Sequence, residues 1–596
     1  MIRPQAPVAS TKLFGRAVVP LLVATFACSG QIGDPTGNPM DPNPSSGGST
    51  GSGGNKATAG TGNTTGKAGS GSSGSGSSGT SFGGAGSGGA GTEPPPGPRP
   101  VSMEGEPIYS RFVRLTNSQW ENSVQSILRL SAPTGRSEGF LEPVSGTTDF
   151  DNNERVVIVD NTIWSDFQSA AEAVADEVTA TDASLQNVVS GTDPATFIRT
   201  FGKRAFRRDL TAQEVTDYQA LHTAGSTSPE GTQSAFTKGA NWVISAMLQS
   251  PFFLYRVEMG DDGAPLDGYE MASKLSLWLR DTTPNDELLE AAAGLTSPEA
   301  AAAQATAMLD EPATAAVMDK FHHDLYKLAL YDTISKDNVT GYTPELNADL
   351  KEASRLFFDR IFSANLGVRD ILTSNVGFAS RRMATLYGIT VNGTALQEVT
   401  FSDRAGYYAQ VPFLTLWAIN DRPHSIYRGV RINLDTLCAD PGAPAPNIPS
   451  VPSLTDEYTN REMITELTEG CAGVCHGQII NPIGFAFEDF DGMGRPRTMD
   501  NGKPVNTTGE YPFAEGFQGF ANSRELMELI ANGSQAHQCY AKKLTSYATA
   551  RDLVERERPA VERIGAVSSG AGSSLKQVIV ALVKDEAFRT HVGGAQ

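Results

Sequence analysis

The sequence predicts a mainly α-helical, multi-domain protein that follows a long disordered linker. Apolar residues recur at helical spacing through most of the chain after residue 106, and alternating strand patterns are scarce. Residues 31–100 consist almost entirely of Gly, Ser, Thr, Ala, Asn and Pro. With 596 residues, the chain is long enough to form several domains with a sizeable core.

Residues 1–28 have the features of a signal peptide of the lipoprotein type. Arg3, Lys12 and Arg16 precede or flank an apolar run over residues 17–27 that is too short to cross a bilayer. Cys28 follows at once, as at the lipid-attachment site of bacterial lipoproteins, and simple cleavage with secretion is the alternative. The sequence therefore predicts an exported protein, lipid-anchored or secreted, at the cell envelope or outer-membrane surface.

Residues 29–105 form the predicted disordered linker. Phe82 is the only aromatic residue between Gly33 and Val101, so this stretch cannot bury a core of its own. Gly/Ser-rich chains are flexible coils, and roughly 70 such residues have a root-mean-square reach of about 45 Å. A linker anchored at Cys28 would hold the folded part away from the membrane, and spacing is the role that we favour for it.

The composition excludes two classes of partner. Charged residues make up 19% of the chain and its formal net charge is −20. An acidic chain without a basic stripe argues against nucleic acid as a partner, and against charge-driven binding to anionic lipid surfaces. We therefore expect membrane contact only through the lipid anchor.

The predicted helix starts share a short polar N-cap residue, often with an acidic residue three positions later or a proline in the first turn. They are Thr116 or Asn117, Thr211, Asp267, Thr283, Ser297 and Ser523, and Pro229 is placed in the first turn of a further helix. The large apolar residues of that further helix and of the segment after it are predicted to lie in the core, namely Phe236, Trp242, Val243, Met247, Phe252 and Leu254. Near the C-terminal third, Asp500-Asn501-Gly502 predicts a tight turn.

One acidic loop has partial calcium-loop spacing. Asp149, Asp151 and Asn153 alternate as ligands do at the start of a calcium-binding loop. Glu154 occupies the position where that loop needs glycine, so we predict an Asx-rich turn instead.

The stretch that carries chemistry is TELTEGCAGVCHGQIINPIGFAFEDFDGMGRPR, residues 465–497. Cys471, Cys475 and His476 resemble a c-type haem attachment motif, in which two thiols bind the porphyrin and the next imidazole binds the iron. Three residues separate the cysteines, where the usual motif has two, and Gly473 is able to absorb the longer loop. His476 is the predicted metal ligand. Zinc at these three residues has no obvious fourth ligand.

A haem with six-coordinate iron needs a second axial ligand, and Met493 is the first choice for it. Other residues considered for this role are Met499, Met527 and His537. A methionine on a helix is more often part of the core than a ligand. Arg495 and Arg497 either pair with haem propionates or lie on the protein surface.

The remaining cysteines are Cys438, Cys471, Cys475 and Cys539, which export places in an oxidising compartment. Four thiols allow three disulfide connectivities. Alternatively, Cys471 and Cys475 bind haem and Cys438 pairs with Cys539. Counting the thiols leaves both schemes open.

An acidic cluster follows the motif. Glu488, Asp489 and Asp491 are available for acid/base chemistry or metal binding, but clustered acids in an acidic exported chain are more often a solvated face. We predict the solvated face.

The order of these motifs resembles a secreted bacterial family built around the domain of unknown function 1592, with elements 1587, 1595, 1588 and 1585. RLTNSQWENSVQSIL resembles the first element, FGKRAFRRDLTAQEVTDY the second, and SPFFLYRVEMG with LDGYEMASKLSLWLRDTTPNDELL the central one. RPHSIYRGVRINLDTLC with CAGVCHGQIINPIGFAFEDFDGMGRPR resembles the fourth, and HQCYAKKLTSYATAR with VIVALVKDEAFR the last.

The resemblance implies a division of the folded chain into five parts. They are 106–190 (1587-like), 191–260 (1595-like), 261–400 (1592-like), 401–510 (1588-like, with the Cys-x-x-x-Cys-His motif) and 511–596 (1585-like). Members of the family commonly carry Cys-x-x-Cys-His at this position, and many are encoded beside another exported protein. The resemblance thus marks Cys471, Cys475 and His476 as haem attachment and axial ligand.

Two function hypotheses remain from the sequence. In the first, the chain is a disulfide-stabilised helical scaffold or binding module without a cofactor. In the second, it is a cell-surface c-type cytochrome that binds haem c and passes electrons to an exported partner. A hydrolase is less favoured, because the folded region has neither a Gly-x-Ser-x-Gly nor a His-Glu-x-x-His motif.

Overall fold

The structure of the protein, a computed structural model, describes residues 100–103, 105, 112–143, 148–229, 231–336, 339–442, 457–469 and 475–592. The predicted signal peptide, Cys28, the linker up to residue 99 and Cys471 lie outside the described residues. Over the described ranges the fold is mainly α-helical with small two-stranded sheets, so the predicted fold class is confirmed.

The helices, in chain order, are α1 Asn117–Ile127, α2 Asn161–Val178, α3 Asp182–Val188, α4 Pro194–Phe206, α5 Ala212–Ser226, α6 Ala235–Leu248, α7 Pro251–Leu254, α8 Gly268–Leu279, α9 Asp286–Ala291, α10 Pro298–Met308, α11 Pro312–Leu325, α12 Pro344–Ser363, α13 Val368–Thr373, α14 Arg381–Tyr387, α15 Val411–Leu416, α16 Ser425–Ile432, α17 Asn460–Glu469, α18 Asn481–Phe485, α19 Ser523–Asn532, α20 Ser534–Thr549, α21 Arg558–Ser568, α22 Leu575–Lys584 and α23 Glu586–Arg589. Two π-helices adjoin them, at Asn433–Leu437 and Cys475–Ile480.

The strands form short antiparallel pairs. They are β1 Phe112–Arg114 with β2 Tyr255–Val257, β3 Val376–Ala379 with β4 Gln397–Thr400, β5 Ala418–Ile419 with β6 Arg422–Pro423, β7 Met499–Asp500 with β8 Lys503–Pro504, and β9 Gly509–Phe513 with β10 Gly516–Phe520. The predicted tight turn joins β7 to β8. Asn501 and Gly502 there have φ angles of 46° and 78°, the left-handed conformation that a two-residue hairpin turn requires.

Most predicted helix starts are confirmed by side-chain caps. Thr116, Thr211 and Asp267 each accept the backbone N–H three residues later and complete a capping box, and Ser297 caps α10 ahead of Pro298. Three starts are displaced, because another side chain reaches the free backbone N–H groups. Ser234 caps α6 in place of a start at Pro229, Asn285 caps α9 in place of Thr283, and Asn522 caps α19 in place of Ser523.

Two hydrophobic cores organise the chain. The N-terminal lobe, residues 112–257, surrounds a core to which α1, α2, α4 and α6 contribute, with Trp120 fully buried in it. The body, residues 266–592, has a larger core of its own. Phe150 extends from the lobe into the body core and stacks on Phe321, with ring centroids 5.4 Å apart. The pairing of β1 with β2 brings the start and the end of the lobe together.

Two aromatic residues predicted in the core of the lobe lie at its surface. Trp242 is 44% exposed and Phe252 is 40% exposed. Trp242 covers Gly225 of the neighbouring helix α5, where a Cβ atom would lie 2.8 Å from the indole. The ring of Phe252 faces the guanidinium of Arg208, whose carbon is 4.6 Å from the ring centroid. Both rings therefore cover their neighbours and keep one side in solvent.

None of the helices within the described ranges is long and apolar enough to span a bilayer.

Candidate functional site

Cys475 and His476 open the second π-helix, which continues directly into α18. Both residues are partly buried, and Cys475 forms no disulfide with a described cysteine. The π conformation, with its i→i+5 hydrogen bonds, is rare and is found frequently at functional sites. The predicted haem-attachment motif thus has an unusual backbone at its thiol and its imidazole.

The first π-helix supports the second. Asn433 donates a hydrogen bond from Nδ2 to the carbonyl of Ile479 at 3.0 Å, and a second one to the carbonyl of Gly429 at 2.8 Å. The hydroxyl of Tyr511 in β9 donates to Oδ1 of Asn433 at 2.6 Å. One buried amide therefore links α16, the β9 strand and the segment that carries His476.

A relay of hydrogen bonds fixes the tautomer of His476. The hydroxyl of Thr468 donates to the carbonyl of Ile464 at 2.7 Å, so its oxygen accepts from Nδ2 of Asn481 at 2.9 Å. The other end of this amide, Oδ1, then faces Nδ1 of His476 at 3.3 Å, and an amide oxygen can only accept. In the neutral imidazole Nδ1 therefore carries the proton and Nε2 has the lone pair, which is the arrangement that a metal ligand needs.

The backbone crossings beneath the site need glycine. A Cβ atom at Gly484 of α18 would lie 1.9 Å from the carbonyl oxygen of Ser425, and one at Gly429 of α16 would lie 2.1 Å from that of Ile480. Both neighbours are backbone atoms, so they cannot move aside as a flexible side chain can. Close contact between α16, the second π-helix and α18 depends on these two glycines.

Glu488 is buried at this crossing, so the predicted solvated acidic face is wrong for this residue. Its side chain is 2% exposed and accepts hydrogen bonds from Ser425 and from Nδ2 of Asn460, the latter at 2.7 Å. Arg497 forms an ion pair with it at 2.6 Å and also donates to its backbone carbonyl at 2.7 Å. Burial raises the pKa of Glu488, while Arg497 opposes that rise.

Arg428 lies beside this carboxylate and is fully buried. Its guanidinium donates to four backbone carbonyls, those of Leu414, Phe487, Phe490 and Asp491, at 3.1–3.4 Å. It therefore holds the chain after α18 against α15 and α16. Burial lowers its pKa to about 10.

Asp489 is partly buried, and its Oδ1 atom has no hydrogen-bond partner among the described residues. Burial raises the pKa of this carboxyl to about 6. Asp491, the third acid of the cluster, is partly exposed and accepts the backbone N–H groups of Met493 and Arg495, each at 2.8 Å. It shapes the turn that follows α18.

The residues considered as second iron ligands differ in burial and in hydrogen-bond partners. Met493 and Met527 are fully buried in the body core, and Met499 is 51% exposed. Both ring nitrogens of His537 are occupied, Nδ1 by Ser568 at 2.8 Å and Nε2 by the carbonyl of Ala531 at 3.1 Å. Cys475 and His476 thus have the side chains that one side of a haem would need, whereas His537 has no free ring nitrogen and Met493 and Met527 are packed in the core.

Arg495 and Arg497 differ in how fully their guanidinium groups are paired with carboxylates. Arg497 is paired with Glu488 and with Asp500, the latter at 2.9 Å. Arg495 is 41% exposed and has one weak ion pair, with Asp491 at 3.4 Å. Of the two, Arg495 is the one whose guanidinium remains accessible.

Cys438 and Cys539 form a disulfide with Cα atoms 5.3 Å apart, across 101 residues of sequence. Cys438 ends the first π-helix in a left-handed conformation, with φ of 47°, and Cys539 lies in α20. Val101 packs on the bridge, and the N–H of Ser102 donates to the carbonyl of Cys438 at 2.9 Å. The bridge therefore binds the point where the linker enters the fold.

The partial calcium-loop sequence forms a turn. Oδ1 of Asn153 accepts the N–H of Arg155 at 3.0 Å, an Asx turn, while Asp149 and Asp151 form ion pairs with Lys543 and Lys320. Over the ranges that the structure describes, no group of three or more His, Cys, Asp and Glu side chains is placed to hold a metal ion.

Sequence reasoning missed the residues that orient His476. Asn433, Asn481 and Thr468 are buried amide and hydroxyl groups, and nothing in their local pattern distinguishes them from residues that only cap a helix. Asn481 stands before Pro482 at a helix start, which signals a helix boundary and gives no sign of the hydrogen bond to the imidazole.

The chain matches five sequence families, each described as a protein of unknown function. Residues 114–180 match DUF1587, 194–258 match DUF1595, 266–389 match DUF1592, 404–500 match DUF1588, and 518–588 match DUF1585. The DUF1588 family, which here includes Cys475 and His476, has the short name PSCyt3. No curated protein and no solved structure matches the chain.

Proposed function

The chain belongs to the family built around DUF1592, and we propose that it is an exported, lipid-anchored helical scaffold or binding module stabilised by a disulfide. Its lipid anchor is Cys28, and the linker of residues 29–105 spaces the folded part from the membrane. Its partner is another exported protein encoded nearby.

The observation that carries this proposal is the anchoring of the linker. Besides the contacts of Val101 and Ser102 with the Cys438–Cys539 bridge, the N–H of Gly105 donates to Leu553 at 2.9 Å and Arg558 donates to the carbonyl of Val101 at 3.0 Å. A pull on the linker is therefore resisted by a covalently cross-linked part of the body. That arrangement suits a tethered scaffold.

The test is metabolic labelling of the full chain with a palmitate analogue in a bacterial host that processes lipoproteins. We expect labelling and membrane fractionation of the wild type, and loss of both in Cys28→Ser. A wild type that is exported without label would contradict the anchor. A chain that stays in the cytoplasm would contradict export as well.

A second function, that of a c-type cytochrome, is favoured by one observation, the fixed tautomer of His476. In this proposal haem c is attached at Cys471 and Cys475, its iron is bound by Nε2 of His476, and the group supplies a one-electron couple to an exported partner. Asn481 orients the imidazole through Nδ1, and Thr468 holds the amide of Asn481. The exposed guanidinium of Arg495 is available to a propionate.

The test of this second function is a pyridine haemochrome spectrum with an intact mass, on protein exported from a host with cytochrome c maturation machinery. Covalent haem mass and a c-type band, both lost in Cys475→Ser and kept in Cys539→Ser, would support it. Protein without haem mass, with Cys471 and Cys475 open to alkylation or joined to each other, would contradict the cytochrome proposal. Without haem the scaffold proposal remains, whereas covalent haem would make the chain an electron-transfer protein.

A further inference from the structure

A cleft of about 1050 Å³ lies where the N-terminal lobe meets the body. One face of α1 lines it with Ser118, Asn122 and Gln125, which are spaced as successive turns of a helix. A face of α11 lines it with Ala313, Ala316 and Val317, which have the same kind of spacing. The cleft thus has amide and hydroxyl groups on one helix, and small apolar groups on another.

Among the described residues, the cleft wall has five basic side chains, of which Arg129 pairs with Asp286 at 3.2 Å and Arg114 donates only to uncharged groups, the carbonyl of Val157 and Oδ1 of Asn117. The other three also form ion pairs. Arg280 forms a bidentate ion pair with Glu311 at 2.7 and 2.6 Å, Lys320 pairs with Asp151 at 2.6 Å, and Arg256 pairs with Glu258 at 2.8 Å. An anionic ligand would have to compete with these carboxylates. The cleft therefore favours an uncharged ligand.

Asp281, whose carboxylate is a hydrogen-bond acceptor in the cleft wall, has a strained backbone. It has a left-handed backbone, with φ of 53°, and such strain in a residue other than glycine is concentrated at binding and catalytic sites. Nδ2 of Asn122 donates to its Oδ2 atom at 3.0 Å and to its carbonyl at 3.1 Å, so α1 and the end of α8 are joined at this point. Burial raises the pKa of Asp281 to about 6.

The wall also contains hydrogen-bonding capacity that the fold does not use. Nε1 of Trp278, Oδ1 of Asn152 and Oγ1 of Thr282 are buried and have no hydrogen-bond partner within the described residues. Each such atom costs about 1–3 kcal/mol when it stays unpaired. Nε of Arg256, which is near Glu258 without hydrogen-bond geometry, is a fourth such atom. Buried polar atoms without a partner in a cavity wall point to a bound group or water as their partner.

We propose that this cleft binds a neutral saccharide, with the amides and hydroxyls of α1 and the carboxylate of Asp281 facing its hydroxyl groups and the small side chains of α11 facing its C–H surface. A pyranose ring has this two-sided chemistry, polar around its rim and apolar on its faces. The proposal rests on the binding-module function above, and it specifies the class of ligand.

The cleft is lined mainly by parts of two of the matched families, with Arg256 from the DUF1595 match and Tyr547, Ala548 and Ala550 from the DUF1585 match. Residues of α1 fall within the DUF1587 match, and residues of α8 and α11 fall within the DUF1592 match. Neither part forms the cleft alone, so binding needs the intact chain. The experiment therefore uses the full folded protein.

The experiment is isothermal titration of the exported protein with a panel of neutral hexasaccharides that includes maltohexaose, cellohexaose, xylohexaose and laminarihexaose. An acidic hexasaccharide and an uncharged hexapeptide serve as comparison probes. Ala316→Trp places an indole in the cleft from an exposed helical position. Ala303→Trp is the matched control, since Ala303 is also exposed, lies in the middle of α10 and is outside the cleft wall.

We expect at least one neutral saccharide to bind, with an affinity that Ala316→Trp lowers by about ten-fold or more and Ala303→Trp leaves unchanged. Three results would overturn the proposal, namely no binding of any neutral saccharide, equal affinity in the two tryptophan variants, or binding of the peptide or acidic probe alone. The outcome is independent of the palmitate experiment, so a failure of the anchor and a failure of the cleft can be told apart.

Discussion

His476, Glu488 and Asp489 lie within fourteen residues of each other and have three different electrostatic environments. Asn481 orients the imidazole without a charge, Arg497 and Asn460 compensate the burial of Glu488, and Asp489 has an oxygen without a partner among the described residues. Removing a buried carboxylate that has partners leaves the stability unchanged or lowers it. A buried carboxyl without partners destabilises the fold when it ionises. The two acids should therefore respond to substitution in opposite ways.

Asp489→Asn is expected to stabilise the protein at pH 7.5 by about 1–2 kcal/mol and to have little effect near pH 4. The pKa of Asp489 in the folded state is raised from 3.8 to about 6. A carboxyl with a raised pKa contributes stability below its unfolded pKa and loses that contribution as the pH rises through the folded value. Asparagine keeps the shape and cannot ionise.

Urea unfolding at pH 4 and pH 7.5 measures the difference for Asp489→Asn. Asp491→Asn is the control, because Asp491 is partly exposed and its Oδ1 atom is fully used by two backbone N–H groups. The control should gain no stability at pH 7.5. An Asp489→Asn protein that is no more stable than the wild type at pH 7.5 would show that the carboxyl is solvated.

At the scale of elements, the site depends on how closely α16, the second π-helix and α18 approach each other. Gly429 and Gly484 remove the side chains that would separate them, and Asn433 then bridges the gap with hydrogen bonds. Arg428 donates hydrogen bonds to backbone carbonyls of the loop that follows α18 and so holds that loop in place. The close helix packing, the amide of Asn433 and the guanidinium of Arg428 therefore all stabilise the π-helical backbone at His476.

Gly484→Ala is expected to destabilise the protein by about 1–3 kcal/mol, because the new methyl group would overlap the backbone of α16. The nearest atom is the carbonyl oxygen of Ser425 at 1.9 Å, and its carbon is at 2.6 Å. Gly477→Ala is the matched control, since a Cβ atom there meets nothing within 4 Å. Thermal unfolding of both variants makes the comparison, and equal midpoints would mean that α16 and α18 are not in close contact.

How much of these elements the sequence predicts depends on the range of the interactions that form them. The caps at Thr211, Asp267 and Ser297 are decided within four residues, and each was predictable from its local pattern. Burial of Glu488 depends on Asn460 and Ser425, which lie 28 and 63 residues away, so its acidic neighbours gave a misleading signal. The same holds for Phe252, whose exposure reflects a contact with a distant arginine.

At the scale of the whole molecule, the chain is closed by contacts between its distant parts. The lobe inserts Phe150 into the body core, and the Cys438–Cys539 bridge joins the first π-helix to α20. Val101 and Ser102 bind to that bridge at the start of the folded chain. Unfolding of the body therefore has to break the contacts of the linker, and the bridge stabilises the part of the body that makes them.

Replacing both bridge cysteines, Cys438→Ser with Cys539→Ser, is expected to cost about 2–5 kcal/mol of stability. The bridge closes a loop of 101 residues, and a loop of that length restricts the unfolded chain strongly. Cys475→Ser is the control, because Cys475 lies outside the bridge and is partly exposed. Urea unfolding with and without dithiothreitol should show a lower midpoint for the reduced wild type and no effect of reductant on the double variant.

The same double variant tests whether the bridge holds the linker. The N–H of Ser102 donates to the carbonyl of Cys438, so its hydrogen exchange reports on that contact directly. We expect exchange at Ser102 to accelerate in the double variant while that of Leu115, which donates to Leu254 within the lobe, stays unchanged. If both amides keep their wild-type rates, the hydrogen bonds of Val101 with Arg558 and of Gly105 with Leu553 hold the linker, and the bridge serves only the stability of the body.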